Sequence, residues 1–139
     1  MLFRPISIRD HKKLIIFWKE NYFVNELDDF DHLKMFLEKN PGLSLLAEEN
    51  KKIVGTILGS FDGRRGYIQK LVVDKNYRKK GIGKQLTDKV VKKVHELGAL
   101  YIPINAEEEL IPFYKKCGFK KTQQLPMSIS YSTYPNKKS

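Results

Sequence analysis

Cysteine is almost absent from this chain of 139 residues, in which Cys117 is the only one. A lone cysteine excludes an internal disulfide and any metal site built from several thiolates. The three histidines, His11, His32 and His95, are scattered and do not show the spacing of metal ligands. We therefore expect no bound metal, and we predict that Cys117 is a small buried thiol.

Long apolar runs are also lacking. No stretch approaches the roughly 20 consecutive apolar residues that a membrane-spanning helix needs, so no membrane association is expected. Residues 1–5 are not followed by the apolar stretch of a secretory signal peptide. These two features together predict a cytoplasmic protein.

Acidic residues are fewer than basic ones. The chain has 16 Asp and Glu residues and 26 Lys and Arg residues, which gives a formal net charge of +10. Such an excess can mark a protein that binds nucleic acid or an acidic ligand. The cations are spread over many segments, and no basic stripe interleaved with aromatic residues for stacking bases is present. An anion-binding loop is therefore favoured over nucleic acid as the explanation.

The apolar content is sufficient for a packed core, at 41% of the residues. No internal repeat, low-complexity tract or long linker divides the sequence. We therefore expect a single domain over residues 1–139.

Hydrophobic periodicity predicts the order strand, helix, helix, three antiparallel strands, helix, strand, helix, strand, strand. A strand–helix–strand unit among hairpins implies an α/β (α+β) protein with a mixed, mostly antiparallel central sheet. The sheet is expected to have six to seven strands flanked by about four helices. The strands are predicted at 3–9, 43–47, 53–60, 67–73, 100–105, 119–124 and 127–134, and the helices after Asp10, after Asp29 or Asp31, from Ile82 to Leu97 and from Glu107 to Lys116.

The most informative segment is LVVDKNYRKKGIGK, residues 71–84. A β-branched run ends, a basic loop with two glycines follows, and an amphipathic helix begins. The first turn of that helix exposes backbone N–H groups, and the helix dipole favours negative charge there. Arg78, Lys79, Lys80 and Lys84 add positive charge with no acid between them. The segment predicts a pocket for a phosphate-bearing ligand, and the alternative is a solvated basic turn at the start of a core helix.

Two motifs resemble one enzyme superfamily. The loop lacks the Lys-Ser/Thr ending of a nucleotide-triphosphate loop, but Arg78 to Gly83 matches Arg/Gln-x-x-Gly-x-Gly/Ala. That pattern resembles the pyrophosphate loop of the GCN5-related N-acetyltransferase (GNAT) superfamily. Phe113 to Phe119 is similar to its aromatic-Tyr-x-x-x-Gly-Phe/Tyr segment. The chain is identified as a member of this superfamily, similar to small bacterial acetyltransferases.

The resemblance implies an N-acetyltransferase that transfers an acetyl group from acetyl-CoA to a primary amine of an unidentified acceptor. Direct attack through a tetrahedral intermediate is implied. The resemblance places Asn105 against the pantetheine arm, with a turn-forming asparagine as the alternative. It also places the arm on the backbone of Leu71, Val72 and Val73. The pyrophosphate is expected on Arg78, Lys79, Lys80, Gly81, Ile82, Gly83 and Lys84.

Tyr114 is implied as the acid that protonates the departing thiolate. A phenol has an ordinary pKa of about 10, so it keeps its proton at neutral pH and can donate it. The alternative is a tyrosine that only packs beneath the helix.

The general base is not evident in the sequence. Many relatives use a glutamate on the fourth strand, whereas residues 67–73 contain no carboxylate. Glu26, Asp28 and Asp29 are weak candidates for attracting a cationic acceptor, or they only cap and solvate. The missing carboxylate keeps open a non-catalytic acyl-CoA-binding sensor or interaction module on the same fold. The oligomeric state is left open as monomer or homodimer.

Overall fold

The computed structural model describes residues 1–135. Its centre is an antiparallel sheet with the strand order β1-β2-β3-β4. The strands are β1 Leu2–Pro5, β2 Leu45–Glu49, β3 Lys52–Phe61 and β4 Gly66–Val73, and the helices are α1 His11–Asn21, α2 Phe30–Lys39, α3 Ile82–Glu96 and α4 Ile111–Lys116.

Alternation along the strands builds two apolar layers, one on each face of the sheet. Neighbouring residues of β2 and β3 divide between these layers, as Ile57 and Leu58 do. One layer packs against α3. The other packs against α1 and α2, with Trp18 fully buried at its centre. No helix within residues 1–135 is long and apolar enough to cross a bilayer.

Glycines in β3 allow α3 to lie directly on the sheet. A Cβ atom at Gly59 would lie 2.6 Å from Val90 Cγ1 and 2.7 Å from the Leu43 carbonyl oxygen. A Cβ atom at Gly55 would lie 3.0 Å from Leu86 Cδ1. This close approach seats the N-terminal turn of α3 beside the end of β4.

We expect Gly59→Ala to lower the free energy of unfolding by about 2 kcal/mol, since overpacking a filled core costs of that order. One of the two obstructing atoms is the Leu43 backbone oxygen and the other is on the Val90 side chain of α3, so the main chain at Leu43 and the helix side chain both have to move. Urea denaturation measures the loss. Ser60→Ala is the control, because the next side chain along a strand points to the other face. Equal midpoints for Gly59→Ala and the parent would contradict the close approach of α3.

The predicted number of six to seven strands is wrong, because the sheet has four within residues 1–135. The predicted strand 100–105 is irregular, and the hydrogen bond from Gly66 N–H to Tyr101 O (3.0 Å) joins it to β4. Pro103 has no N–H group, so it cannot donate a hydrogen bond to a neighbouring strand. Without this strand the described sheet is wholly antiparallel rather than mixed.

The closing strands at 119–124 and 127–134 are also not formed. Side chains that alternate along the second of them face solvent, with Met127 95% and Tyr131 99% exposed. The first strand is shorter than predicted, because β1 ends at Pro5 and a 3-10 turn, Ile8–Asp10, follows. Ser7 caps that turn, and the Asp10 carboxylate accepts the Ser7 N–H in return.

Candidate functional site

A bulge in β4 lies at the centre of the site. The register of the β3–β4 ladder shifts between Thr56 and Leu58, and Lys70 on β4 has a positive φ of 56°. The fully buried Thr56 hydroxyl donates to the Lys70 carbonyl (3.1 Å) and accepts from Trp18 Nε1 (2.9 Å). Helix α1 therefore holds the bulge in place through a buried hydrogen-bonded chain.

The outer edge of β4 carries unpaired main-chain groups. The Asp74 N–H donates to Val54 on β3 (2.9 Å), so it points into the sheet. Because direction alternates along a strand, Leu71 and Val73 direct their N–H groups outward, and Val72 faces its partner Thr56 in the ladder. Segment 100–107 joins this edge at Gly66, and within residues 1–135 no main-chain hydrogen bond joins it to Leu71 or Val73. We call this open stretch of the edge beside Leu71 and Val73 the slot.

The glycine loop connects the end of β4, beside the slot, to the start of α3. Gly81, the N-cap residue of α3, has a φ of 82°, a left-handed conformation that glycine adopts without strain. Its carbonyl accepts the Gln85 N–H (3.0 Å) as the first helical bond. In the described part of the chain, the N–H groups of Ile82, Gly83 and Lys84 have no backbone acceptor. Three such donors at the start of a helix can bind an anion, and for this property residues 82–84 are called the anion-binding turn.

Three of the four loop cations have partners within the chain. Arg78 Nε donates to the Val73 carbonyl (3.1 Å), so its guanidinium lies across the end of the slot. Lys84 pairs with Asp88 (2.7 Å), and Lys80 Nζ lies 5.3 Å from the centre of the Tyr77 ring. The fourth, Lys79, is exposed and has a φ of 62°.

The Tyr114 ring is half-buried in an aromatic stack. It meets the rings of Phe113 and Phe119 edge-on, at 5.1 Å and 5.7 Å between centroids. A Cβ atom at Gly83 would lie 3.2 Å from Phe113 Cζ, so the same stack touches the first turn of α3. Helix α4 is thereby held over the anion-binding turn.

The Tyr114 phenol is protonated and available. Burial, reinforced by the charges of Cys117 and Glu107, raises the pKa of Tyr114 to about 12. Within residues 1–135 its hydroxyl makes no hydrogen bond. Burial also raises the pKa of the half-buried Cys117 thiol, which disfavours a reactive thiolate.

Lys70 is enclosed by aromatic rings. Its side chain is 9% exposed, and its Nζ lies 2.8 Å from Asp28 Oδ2 and 3.0 Å from the Phe23 carbonyl oxygen. The rings of Phe23 and Trp18 lie 4.7 Å and 5.0 Å from the same nitrogen. Asp28, proposed from the sequence as an acceptor-binding carboxylate, is therefore buried against a cation of its own chain.

The other sequence-derived candidates lie around this centre. Glu26 accepts hydrogen bonds from Thr133, the shorter at 2.7 Å from the hydroxyl, and Asp29 caps α2 by accepting the His32 N–H (2.9 Å). Asn105 is exposed at the end of the irregular segment. Among residues 1–135, no group of three or more His, Cys, Asp or Glu side chains is arranged to hold a metal ion.

One contact at this site was not predicted from the sequence. The Tyr22 hydroxyl donates to Glu107 Oε1 (3.1 Å) across 85 residues of chain. Burial and the Glu107 charge raise the pKa of Tyr22. The sequence placed Tyr22 on an apolar helix stripe and Glu107 at a helix start, and no local pattern connects them.

Known proteins resemble this chain in sequence and in fold. Residues 12–119 match the model of the acetyltransferase (GNAT) family. An acetyltransferase of Yersinia pestis (strain Pestoides F) is 29% identical over 115 residues, which cover 80% of this chain and 82% of that protein. Glucosamine-6-phosphate N-acetyltransferase of Arabidopsis thaliana has a TM-score of 0.73 at 21% identity, covering 94% of this chain and 97% of its own. PaiA N-acetyltransferase of Thermoplasma acidophilum, in complex with coenzyme A, has a TM-score of 0.77 at 21% identity, covering 88% and 91%.

The two solved structures show a common fold. The family match runs from α1 through the bulged strand, the glycine loop and α3 to Phe119 at the end of the aromatic stack. It includes both motifs from which the superfamily was identified in the sequence. With its slot, its anion-binding turn and its aromatic stack all inside the matched residues, the chain belongs to the acetyltransferase (GNAT) family.

Proposed function

We propose that this protein is an acetyl-CoA-dependent N-acetyltransferase acting on a primary amine, and that residues 1–139 form its single domain. The observation that carries the proposal is the closeness of two groups of main-chain donors. The first is the outward N–H groups of Leu71 and Val73, and the second is the first turn of α3. A Cβ atom at Gly83 in that turn would lie 3.6 Å from Val73 Cγ2, so the two groups are neighbours. Acetyl-CoA is the acyl donor of this family. Its amide-rich arm and its diphosphate match these two groups of donors.

The amide-rich pantetheine arm pairs with the open edge of β4 as an added strand would. Leu71 and Val73 offer main-chain groups to it, Val72 supports the edge from within the ladder, and Asn105 is the contact from the opposite side. The diphosphate is bound by backbone N–H groups and cations together. Its proposed ligands are Arg78, Lys79, Lys80, Gly81, Ile82, Gly83 and Lys84.

The chemistry requires a polarised carbonyl and a protonated leaving group. Acetyl-CoA supplies an activated thioester, which the acceptor amine attacks directly to give a tetrahedral intermediate. The Leu71 N–H stabilises the negative charge that develops on the carbonyl oxygen. Tyr114 donates its proton to the departing sulfur. The protein therefore contributes positioning, charge stabilisation and one proton.

Calorimetry followed by a thiol-release assay tests this function. We expect coenzyme A to bind with one site per chain, and acetyl-CoA to release free thiol only when a primary amine is added. A panel of small alkylamines, polyamines and peptides with a free N-terminus or lysine defines the acceptor class. Coenzyme binding without transfer to any of these amines would instead indicate a non-catalytic acyl-CoA sensor. No binding at all would refute the site.

A further inference from the structure

Glu107 is an exposed carboxylate that Tyr22 holds by one hydrogen bond. It follows the irregular segment 100–107 and comes just before the turn Glu108–Leu110 that leads into α4. Its Oε1 atom accepts one hydrogen bond from the Tyr22 hydroxyl (3.1 Å). In the described part of the chain its Oε2 atom accepts none, and the residue is exposed. The carboxylate is therefore oriented by one oxygen and open to a ligand at the other.

Its contact with Tyr22 places Glu107 beside the proposed reaction centre. The Tyr22 ring, which holds Glu107, lies 5.6 Å from Nζ of Lys70, the bulge residue that precedes Leu71. The charge of Glu107 also contributes, after burial and the charge of Cys117, to the raised pKa of the Tyr114 phenol. Glu107 is therefore linked through Tyr22 to the strand bulge that precedes the Leu71 N–H.

The other carboxylates near this centre are engaged. Asp28 is buried against Lys70, and Asp29 caps α2. Both Glu26 oxygens accept hydrogen bonds from Thr133. On β4 itself, residues 66–73 contain no acid. Glu107 differs from these carboxylates because its one hydrogen bond comes from Tyr22, whose ring adjoins Lys70, and its Oε2 atom accepts none within residues 1–135.

Resting on the acetyl transfer proposed above, we infer that Glu107, oriented by Tyr22, binds the ammonium of the acceptor and removes its proton. The substrate class that follows is a cationic primary amine. Tyr22 is a positioning residue, because it acts through the carboxylate that it holds.

The proton balance closes with the groups present. Glu107 takes one proton from the ammonium and passes it to solvent. The freed nitrogen lone pair forms the C–N bond to the thioester carbon while the carbonyl electron pair moves to oxygen. When that pair returns, the C–S bond breaks, and the sulfur leaves with its electron pair and takes the Tyr114 proton. The second proton on the nitrogen passes through solvent to the Tyr114 phenolate.

The test compares two nucleophiles, n-butylamine and hydroxylamine, in the thiol-release assay at neutral pH. The first is almost fully protonated and needs a base, whereas the second is largely uncharged and does not. We expect Glu107→Gln to lower kcat/KM for n-butylamine by about thirtyfold, below the usual range for a general base because solvent partly replaces it. The value for hydroxylamine should change by less than about twofold.

Glu109→Gln is the matched control, since it makes the same change at an exposed glutamate two residues along and should leave both rates unaltered. Tyr22→Phe should raise KM for n-butylamine more than it lowers kcat. Equal losses with both nucleophiles in Glu107→Gln would mean a structural role, and no loss would mean no role, so either result overturns the inference. A parent that uses hydroxylamine but not n-butylamine also overturns it. A parent that binds coenzyme A and transfers to neither nucleophile nor to any amine of the panel refutes the proposed function itself.

Discussion

Tyr114→Phe is expected to lower kcat for acetyl transfer by about a thousandfold, within the usual range for a positioned general acid. The coenzyme affinity measured by calorimetry should stay within about twofold of the parent. Phenylalanine keeps both edge-on contacts of the ring, with Phe113 and Phe119. The hydroxyl that is lost has no hydrogen-bond partner among residues 1–135, so folding stability should also be preserved. The variant thus removes a proton and little else.

Tyr131→Phe is the matched control, because that phenol is 99% exposed and makes no hydrogen bond within residues 1–135. The pH dependence gives a second check. Burial holds the proton on Tyr114 until about pH 12, so the acid form persists above the usual phenol pKa of about 10. The parent should therefore show no loss of kcat from this group between pH 7 and about 10. Unaltered turnover in Tyr114→Phe would remove the phenol from the mechanism.

The parts of the site that the sequence predicted are those specified locally. The glycine loop and α3 lie in one continuous segment of the sequence. In that segment a β-branched run is followed by a positive-φ glycine and then by a 3.6-residue periodicity. Backbone donors at the start of a helix need no distant residue to exist. For the same reason the helix boundaries near Asn40 and Gly98 agree with the turn residues found there.

Pairing between distant segments was not predictable in this way. Alternation at 127–134 indicates a preference for extended structure, but it does not say which sheet edge accepts the segment. In 100–105 the apolar residues Ile102 and Ile104 pack partly against the core without a ladder, because packing and strand pairing are separate requirements. The Tyr22–Glu107 contact joins residues 85 positions apart and has no periodic signature.

The buried pair of Lys70 and Asp28 is a second contact between distant residues that the sequence does not reveal. An acidic segment between two helices is normally solvated, so two interpretations of its carboxylates were open: that they attract a cationic substrate, or that they only cap and solvate. The cation that Asp28 binds comes instead from β4, at the bulge residue. The charge pattern of the sequence therefore does not reveal that Asp28 pairs with a lysine of the same chain.

Gly81→Asp should weaken coenzyme A binding by about a hundredfold, or about 2.7 kcal/mol. The nearest atom to a Cβ at this position is Gln85 Nε2 at 4.0 Å, so steric exclusion is not the cause. An aspartate at an N-cap accepts from the free N–H groups of the first turn, the donors that the pyrophosphate needs, and its charge repels the ligand. Calorimetry with coenzyme A measures the loss.

Two further variants separate these causes. Gly81→Asn keeps the capping oxygen without the charge, and its affinity should lie between those of the parent and Gly81→Asp. Gly63→Asp places the same side chain at another positive-φ glycine (97°) with open space around it, in the β3–β4 turn. It reproduces the backbone strain of Gly81→Asp away from α3 and should bind coenzyme A as the parent does. If Gly63→Asp and Gly81→Asp lose affinity equally, strain is the cause and the first turn of α3 does not bind the pyrophosphate.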